Sequence, residues 1–423
     1  MLPDGAPMSD WLSWLETCSP NEIDLGLERV QAVLERLGLE RPGHLLLVAG
    51  TNGKGSCVAM TQALLLASGV SVGAYTSPHV LRYNERIAVN GTPATDTDII
   101  AAFERVEAVR ADVPLTYFEY GTLAAMVVFA AAEVQAWVLE VGMGGRLDAT
   151  NVLDPTAALI TNVSLDHCDW LGDDIESIAV EKAGVMRKGM AVVFGAEQVP
   201  KAVLVRAAEL GADLLVAGRD YAHAMNADGT WNWRGRTQSL QALQPPGLMG
   251  LFQIGNAAAV LSLLDVAGFT ALLSVASVNA VLPALSLTGR AQRVMMHGTE
   301  WLLDVAHNPA AAAVLAETLQ ANTVAGTTTA IIGMLDDKDA TGFIVALRDQ
   351  VERWIAVTAD SPKAVPADEL GRQIANLCDR PCLVADSLAS AMQFARRDVA
   401  ENDRILVTGS FFLVGPVLKQ LGL

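Results

Sequence analysis

A lone lysine set among glycines is the most telling chemical feature of this 423-residue chain. In His44-Leu-Leu-Leu-Val-Ala-Gly-Thr-Asn-Gly-Lys-Gly-Ser56 an apolar run breaks into Gly50, Gly53 and Gly55 around Lys54, and Val58, Leu64, Leu65 and Leu66 then suit a packed helix. Glycines let successive backbone N–H groups turn toward an anion. The lysine supplies a point charge and the helix N-terminus a partial one, so strand, loop and helix together make a cradle for polyphosphate. Gly55 stands between Lys54 and the hydroxyl of Ser56, so the strict G-x-x-x-x-G-K-[ST] pattern is not met. A glycine turn beside a buried strand, with a surface lysine, is the plainer alternative.

The second informative stretch runs from Ala136 through Glu140 to Gly144-Gly-Arg-Leu-Asp-Ala-Thr-Asn151. Glu140 interrupts an apolar strand, and an ionised carboxylate buried there needs a cation or a base beside it. Mg²⁺ opposite the phosphate loop is one partner, and Arg146 across the glycine turn is the other. Ligands of open parallel sheets bind at strand C-termini. Ser77, after a strand at Val72 to Thr76, and His167, after one at Ala157 to Val163, stand at such ends, with Asp166 and Asp169 near the histidine. Ser77, Glu140 and His167 together make an oxygen-and-imidazole magnesium set, although Ser77-Pro78 also reads as an ordinary turn. Lys182 reads from composition as a surface lysine paired with Glu181. Asp24 is either a carboxylate facing a substrate or an exposed acid in the first turn of a helix. Asp304, His307 and Asn308 close a further strand ahead of a helix whose Pro309 suits its first turn.

The elements that must carry these residues follow from pattern. An opening helix through Ile23, Leu27, Val30, Leu34 and Leu37 is capped by Ser19 or Asn21. Helices are predicted over Asp96 to Arg110, Phe118 to Glu133 and Gln253 to Val266. Asp228-Gly229 marks a hairpin within Leu214 to Arg236, read as an antiparallel edge of the sheet. Past the boundary at Gly289-Arg290, strands near Thr328 to Ile332, Trp354 to Val357, Cys382 to Ala385 and Ile405 to Thr408 alternate with helices near 342–351, 367–377 and 388–400. The expected architecture is α/β: a P-loop-type, mostly parallel sheet domain over residues 1–289, then a smaller Rossmann-like domain over 290–423. The length and the 52% hydrophobic, 5% aromatic composition agree with two such cores. A net charge of −18 argues against nucleic acid and anionic membranes as partners. Five cysteines without metal spacing read as reduced and structural. The opening residues, with Asp4 and Asp10, lack a signal-peptide core, and the uncharged run 266–289 reads as packed helices, so a cytoplasmic protein is expected.

Six segments in order, Gly50-Thr-Asn-Gly-Lys-Gly-Ser56, Thr76-Ser-Pro-His79, Glu140 with Gly144 to Asn151, Ser164-Leu-Asp-His167, Glu181-Lys-Ala-Gly184 and Asp304-Val-Ala-His-Asn-Pro309, resemble the folylpolyglutamate synthase family of the Mur ligase superfamily. Within it, the bifunctional bacterial branch, which also makes dihydrofolate, is the nearest likeness. The resemblance implies an ATP-dependent ligase joining L-glutamate to dihydropteroate and to reduced folates through an acyl phosphate. It implies two Mg²⁺ ions, held by Ser77, Glu140 and His167 and by a CO₂-carboxylated Lys182, which replaces the surface reading of that lysine. It assigns ATP contacts to Asn52, Gly53, Lys54, Gly55, Ser56, Asn256, Arg290 and Asp304, with His307 near the phosphates. The pterin-bearing substrate is expected by Ile23, Asp24, Thr116, Tyr117, Phe118 and Leu147. Lys54, Lys182, Asp304 and His307 are the expected catalytic groups, and a monomer is the family's default. A monofunctional folylpolyglutamate synthase is one alternative. A nucleotide-driven switch or binding module is another, but it leaves Glu140, His167, Asp304 and His307 without a task.

Overall fold

The computed structural model describes residues 5–19, 23–296, 298–397 and 399–423; Asp4 and the cap residue Asn21 lie outside them. Contacts divide the chain into a first unit, Met1–Val163, Leu171–Pro245 and Gly255–Leu282, and a second, Ser164–Trp170, Pro246–Ile254 and Pro283–Leu423.

The first unit is built on strands β1 (His44–Ala49), β2 (Val72–Tyr75), β3 (Ile87–Val89), β4 (Thr92–Pro93), β5 (Ala136–Glu140), β6 (Ala157–Ile160), β7 (Ala191–Phe194) and β8 (Asp213–Val216). They form one sheet in the order β4-β3-β2-β5-β1-β6-β7-β8. Pairing is parallel from β2 to β8 and antiparallel only at the β3 and β4 edge. Leu46, Leu47, Val48, Val138 and Leu139 have no exposed surface, as strands covered on both faces require. Two flanking helices start where the sequence caps them. Thr95 and Asp98 form a reciprocal capping box for Asp96–Arg110, and Thr116 and Glu119 form one for Tyr117–Ala131.

Two expectations are corrected here. The opening helix spans only Glu28–Leu37, because residues 23–26 take no regular structure while Arg29 bonds the Asp24 carbonyl and carboxylate. An earlier helix, Met8–Leu15, brings Trp11 against Phe103 and Trp14 against Tyr120. The Asp228-Gly229 hairpin does not extend the main sheet. Strands β9 (Ala222–Met225), β10 (Trp231–Arg234) and β11 (Ser239–Leu243) form an antiparallel sheet of their own, and β8 is the true edge of the large one. Alternation along β10 explains the separation: Trp231 and Trp233 are buried, and Trp233 Nε1 donates to Ser262 Oγ (3.1 Å) on the helix Phe252–Leu264. The run Phe252–Leu272 is long and apolar enough to cross a membrane, but 61% of its apolar window is buried in the protein, as in a core helix. Beyond it Gly268, at φ 92°, breaks the run, and Ser274 caps a new helix, Val275–Val281.

The second unit holds β12 (Gln292–Met296), β13 (Thr299–Leu303), β14 (Thr328–Ile332), β15 (Arg353–Val357), β16 (Cys382–Ala385) and β17 (Arg404–Thr408), ordered β12-β13-β17-β14-β15-β16. All but the antiparallel edge β12 run parallel. Helices Pro309–Ala321, Ala340–Leu347, Ala367–Cys378 and Leu388–Arg397 alternate with these strands. Phe343, Ile344, Leu347 and Leu370 pack with Ile332, Ala356 and Leu406 in one apolar core. Arg404 is buried within this sheet and offset by Glu300, which accepts from Arg404 Nε and pairs with Arg293 Nε, both at 2.6 Å. The protein is therefore α/β, a mostly parallel sheet followed by a second sheet unit.

Candidate active site

The phosphate loop occupies the turn between β1 and the helix Lys54–Ala67. Its shape is fixed from below by the residues after β6. Thr161 Oγ1 donates to the Asn52 carbonyl (2.6 Å), and Asn162 Nδ2 donates to the same oxygen (2.9 Å). The Asn162 side-chain oxygen accepts from Asn52 N (3.1 Å), and its backbone carbonyl accepts from Thr51 N (3.0 Å). Gly50 lies at φ 140°, and a methyl group there would fall 1.8 Å from Thr161 Oγ1, so only glycine fits. Gly53 (φ 85°) is the residue before the helix, with Gly55 in the first turn and Ser56 buried behind it. Lys54 Nζ bonds the carbonyls of Gly50 (3.0 Å) and Thr51 (3.2 Å), which holds its charge over the loop. A methyl group at Gly53 would lie 3.1 Å from Asn256 Oδ1, so Asn256 stands against the loop.

Parallel pairing sets Glu140 beside Val48, next to the start of the loop. Its carboxylate is buried, and Oε2 accepts from Ser77 N at 3.1 Å, which joins the ends of β2 and β5. The alternative partner for Glu140 is taken elsewhere: Arg146 Nη2 pairs with Glu181 Oε1 at 2.8 Å. That pair also removes the surface reading of Lys182, which is only 4% exposed on the helix Ile175–Ala183. The turn between is drawn tight by Asp148, which accepts from Met143 N, Thr150 N and Thr150 Oγ1. Burial raises the Asp148 pKa against these bonds. Among the described residues no three His, Cys, Asp or Glu side chains converge on a metal position. The donor chemistry nevertheless fits Mg²⁺, a hard ion that takes one or two carboxylates and completes its shell with water and phosphate oxygens.

The residues expected to face the acceptor substrate lie in the first unit. Arg29 bridges Asp24 (3.0 Å) and the buried Glu119 (2.9 Å), while Glu119 accepts from Thr116 N (2.8 Å). Half-buried Ile23 adjoins Asp24. Phe118 closes on Gly142, where a methyl group would meet its Cζ at 2.6 Å and Oδ2 of Asp148, the residue after Leu147, at 3.1 Å. Tyr117 and Tyr83 both lie against the Arg86 guanidinium, whose Nε donates to His79 Nδ1 (2.9 Å).

In the second unit Asp304 ends β13 with its carboxylate on Ala291 N and Ala306 N, both at 2.7 Å. Burial raises its pKa, and the charge of nearby Arg290 opposes the rise. His307 donates from Nδ1 to the Val305 carbonyl (2.9 Å), which turns Nε2 toward Asp166 Oδ2 at 3.7 Å. Asp166 is a hub that the spacing of the sequence did not single out. It accepts from Asn308 Nδ2 (2.9 Å) and Lys338 Nζ (3.1 Å), and its other neighbour is His167, with Nε2 4.0 Å away. Burial alone would raise the Asp166 pKa. The neighbouring His307 imidazole and the charges of His167 and Lys338 outweigh it and hold the carboxylate well below its ordinary range. His167 has φ 52°, the left-handed region, and its N–H bonds Asp166 Oδ1. Lys338 went unnoticed in the sequence, although it follows the C-terminal end of β14, the edge where ligands bind in such sheets.

The Mur ligase middle domain model matches residues 48–264, and the model of the Mur ligase glutamate ligase domain matches 289–411. The dihydrofolate synthase/folylpolyglutamate synthase of Escherichia coli is 38% identical over 98% of this chain and 96% of its own. The solved E. coli FolC in complex with DHPP and ADP superposes with a TM-score of 0.94 at 37% identity, covering 100% of this chain and 99% of that one. A bifunctional folylpolyglutamate synthase/dihydrofolate synthase solved with Mn, AMPPNP and L-glutamate gives 0.91 at 38% identity over 99% of both. The chain belongs to the dihydrofolate synthase/folylpolyglutamate synthase family of Mur ligases.

Proposed function

We propose that this protein is an ATP-dependent amide ligase that adds L-glutamate to dihydropteroate, giving dihydrofolate, and to reduced folates, giving folylpolyglutamates. The observation that carries the reading is the shared edge of the first sheet, where the glycine loop with Lys54 and the Glu140–Ser77 pair end neighbouring strands. The acceptor's carboxylate attacks the γ-phosphate of ATP, its oxygen forming the new P–O bond as ADP leaves. The amine of glutamate then attacks the acyl phosphate carbon, and phosphate departs as the amide forms. Such chemistry depends on positioning and charge neutralisation, so no protein nucleophile is assigned.

Loop amides from Asn52 to Ser56 and the Lys54 ammonium hold the phosphates in this proposal, with Asn256 beside them and Arg290 and Asp304 contributing from residues 290–423. Ser77, Glu140 and His167 would hold one Mg²⁺, and Lys182, as its carbamate, a second; bound magnesium supplies neutralisation of the crowded phosphate oxygens. The burial of Lys182 supports a role beyond that of a surface cation. Ile23, Asp24, Thr116, Tyr117, Phe118 and Leu147 form the pterin side of the acceptor site, and His307 and Lys182 complete the catalytic set. A cytoplasmic monomer acting on small molecules completes the reading.

The test supplies ATP, Mg²⁺ and L-glutamate with either dihydropteroate or tetrahydrofolate and measures amide product. Turnover with both is expected, and turnover with the folate alone would remove the dihydrofolate synthase half. Glu140→Gln should lower both rates by about a hundredfold or more with an unchanged circular dichroism spectrum; near-normal rates would contradict a metal-holding role.

A further inference from the structure

The small antiparallel sheet has no part in the reading so far, yet one of its residues reaches the nucleotide side of the first unit. His223 on β9 stands opposite Trp233 on β10, and cross-strand partners share a face. Trp233 uses that face to bond Ser262 on the helix Phe252–Leu264, so His223 is directed toward the same helix nearer its start. A methyl group built on Gly255 would lie 3.7 Å from His223 Cε1. The next residue, Asn256, touches the phosphate loop at Gly53. Loop, Asn256, Gly255 and His223 are thus successive neighbours, and the absent side chain at Gly255 leaves room beside the imidazole. His223 is exposed although its partner Trp233 is buried, so the ring is not taken up by the core.

We propose that the His223 imidazole packs against the purine of the nucleotide whose phosphates the glycine loop holds, which makes the antiparallel sheet one wall of the base pocket. A planar ring beside the start of the helix that touches the phosphate cradle suits a flat aromatic base. Partial shielding of the otherwise exposed ring lowers the His223 pKa, with Glu197 as the acid that opposes the shift, so the ring meets the base neutral at physiological pH. The inference rests on the loop holding ATP.

Calorimetric titration with ADP and, separately, with inorganic tripolyphosphate in Mg²⁺ tests it on the full chain. His223→Ala should weaken ADP about threefold to tenfold and leave tripolyphosphate unchanged, while His223→Phe keeps ADP affinity within about twofold of the parent. Unaltered ADP binding by His223→Ala, a parallel loss of both ligands, or a Phe variant no better than Ala would overturn the proposal. A parent protein that binds neither ligand would instead remove the nucleotide reading beneath it.

Discussion

Arg86 leaves His79 with one tautomer: because Nε of the guanidinium donates to Nδ1, the imidazole proton sits on Nε2. Burial, and then the charge of Arg86, lowers the His79 pKa from 6.5 to about 4. Unfolded His79 takes a proton near pH 6.5, whereas the folded side chain refuses it until about pH 4, so its contribution to stability is complete above that window and is lost as the pH falls through it. An NMR titration of the metal-free protein should find an imidazole that stays neutral to about pH 4, and His79→Gln should flatten the stability profile between those limits. An ordinary midpoint near 6.5 would show that the cluster of His79, Tyr83, Arg86 and Tyr117 is open to water. At this scale the sequence was readable where a residue broke its local pattern. Lys54 stands among glycines and Glu140 within an apolar strand, and both are where the pattern put them. Asp166 and Lys338 break no pattern, since each is one charge in a polar segment, and their importance arises from a meeting across 172 positions of sequence.

Among the elements, the phosphate loop depends on the neighbouring strand as much as on its own glycines. Gly50→Ala places a methyl group in collision with Thr161 Oγ1 and asks alanine to adopt φ 140°. The change should cost about 2 kcal/mol or more in urea unfolding and abolish ADP binding. The double variant with Thr161→Ala should recover only part of the stability, because the hydroxyl clash goes while the close Cβ and backbone N of residue 161, the left-handed backbone and the lost Asn52 bond remain. Full recovery would mean that sterics alone reserve the position for glycine. Strand existence was legible because burial on both faces writes continuous apolar runs, as at Leu45 to Ala49. Pairing was not. The alternation of Trp231 and Trp233 announces a strand with one covered face but not what covers it, and a helix rather than the large sheet does so. Edge strand β12 escaped for a related reason, since its residues are only partly buried and carry no apolar run.

Over the whole molecule, sequence order and physical membership part company. The chain passes between its units at 163/164, 170/171, 245/246, 254/255 and 282/283, so the second unit is made of three pieces. The shortest, Ser164–Trp170, delivers Asp166 to Lys338, and both of these side chains are only 8% exposed. Residues 283–423 expressed alone should therefore melt well below the second unit in the full chain, since a shielded ammonium and Asn308 lose the acid they share. A fragment with an unshifted, cooperative melt would show that Asp166 is dispensable to the fold. The composition of that unit also bears on heredity. Recombination at a single joint between two relatives of this enzyme would seat the Asp166 stretch of one parent against the Asn308 and Lys338 of the other, so such a hybrid stays sound only where both parents agree on that meeting.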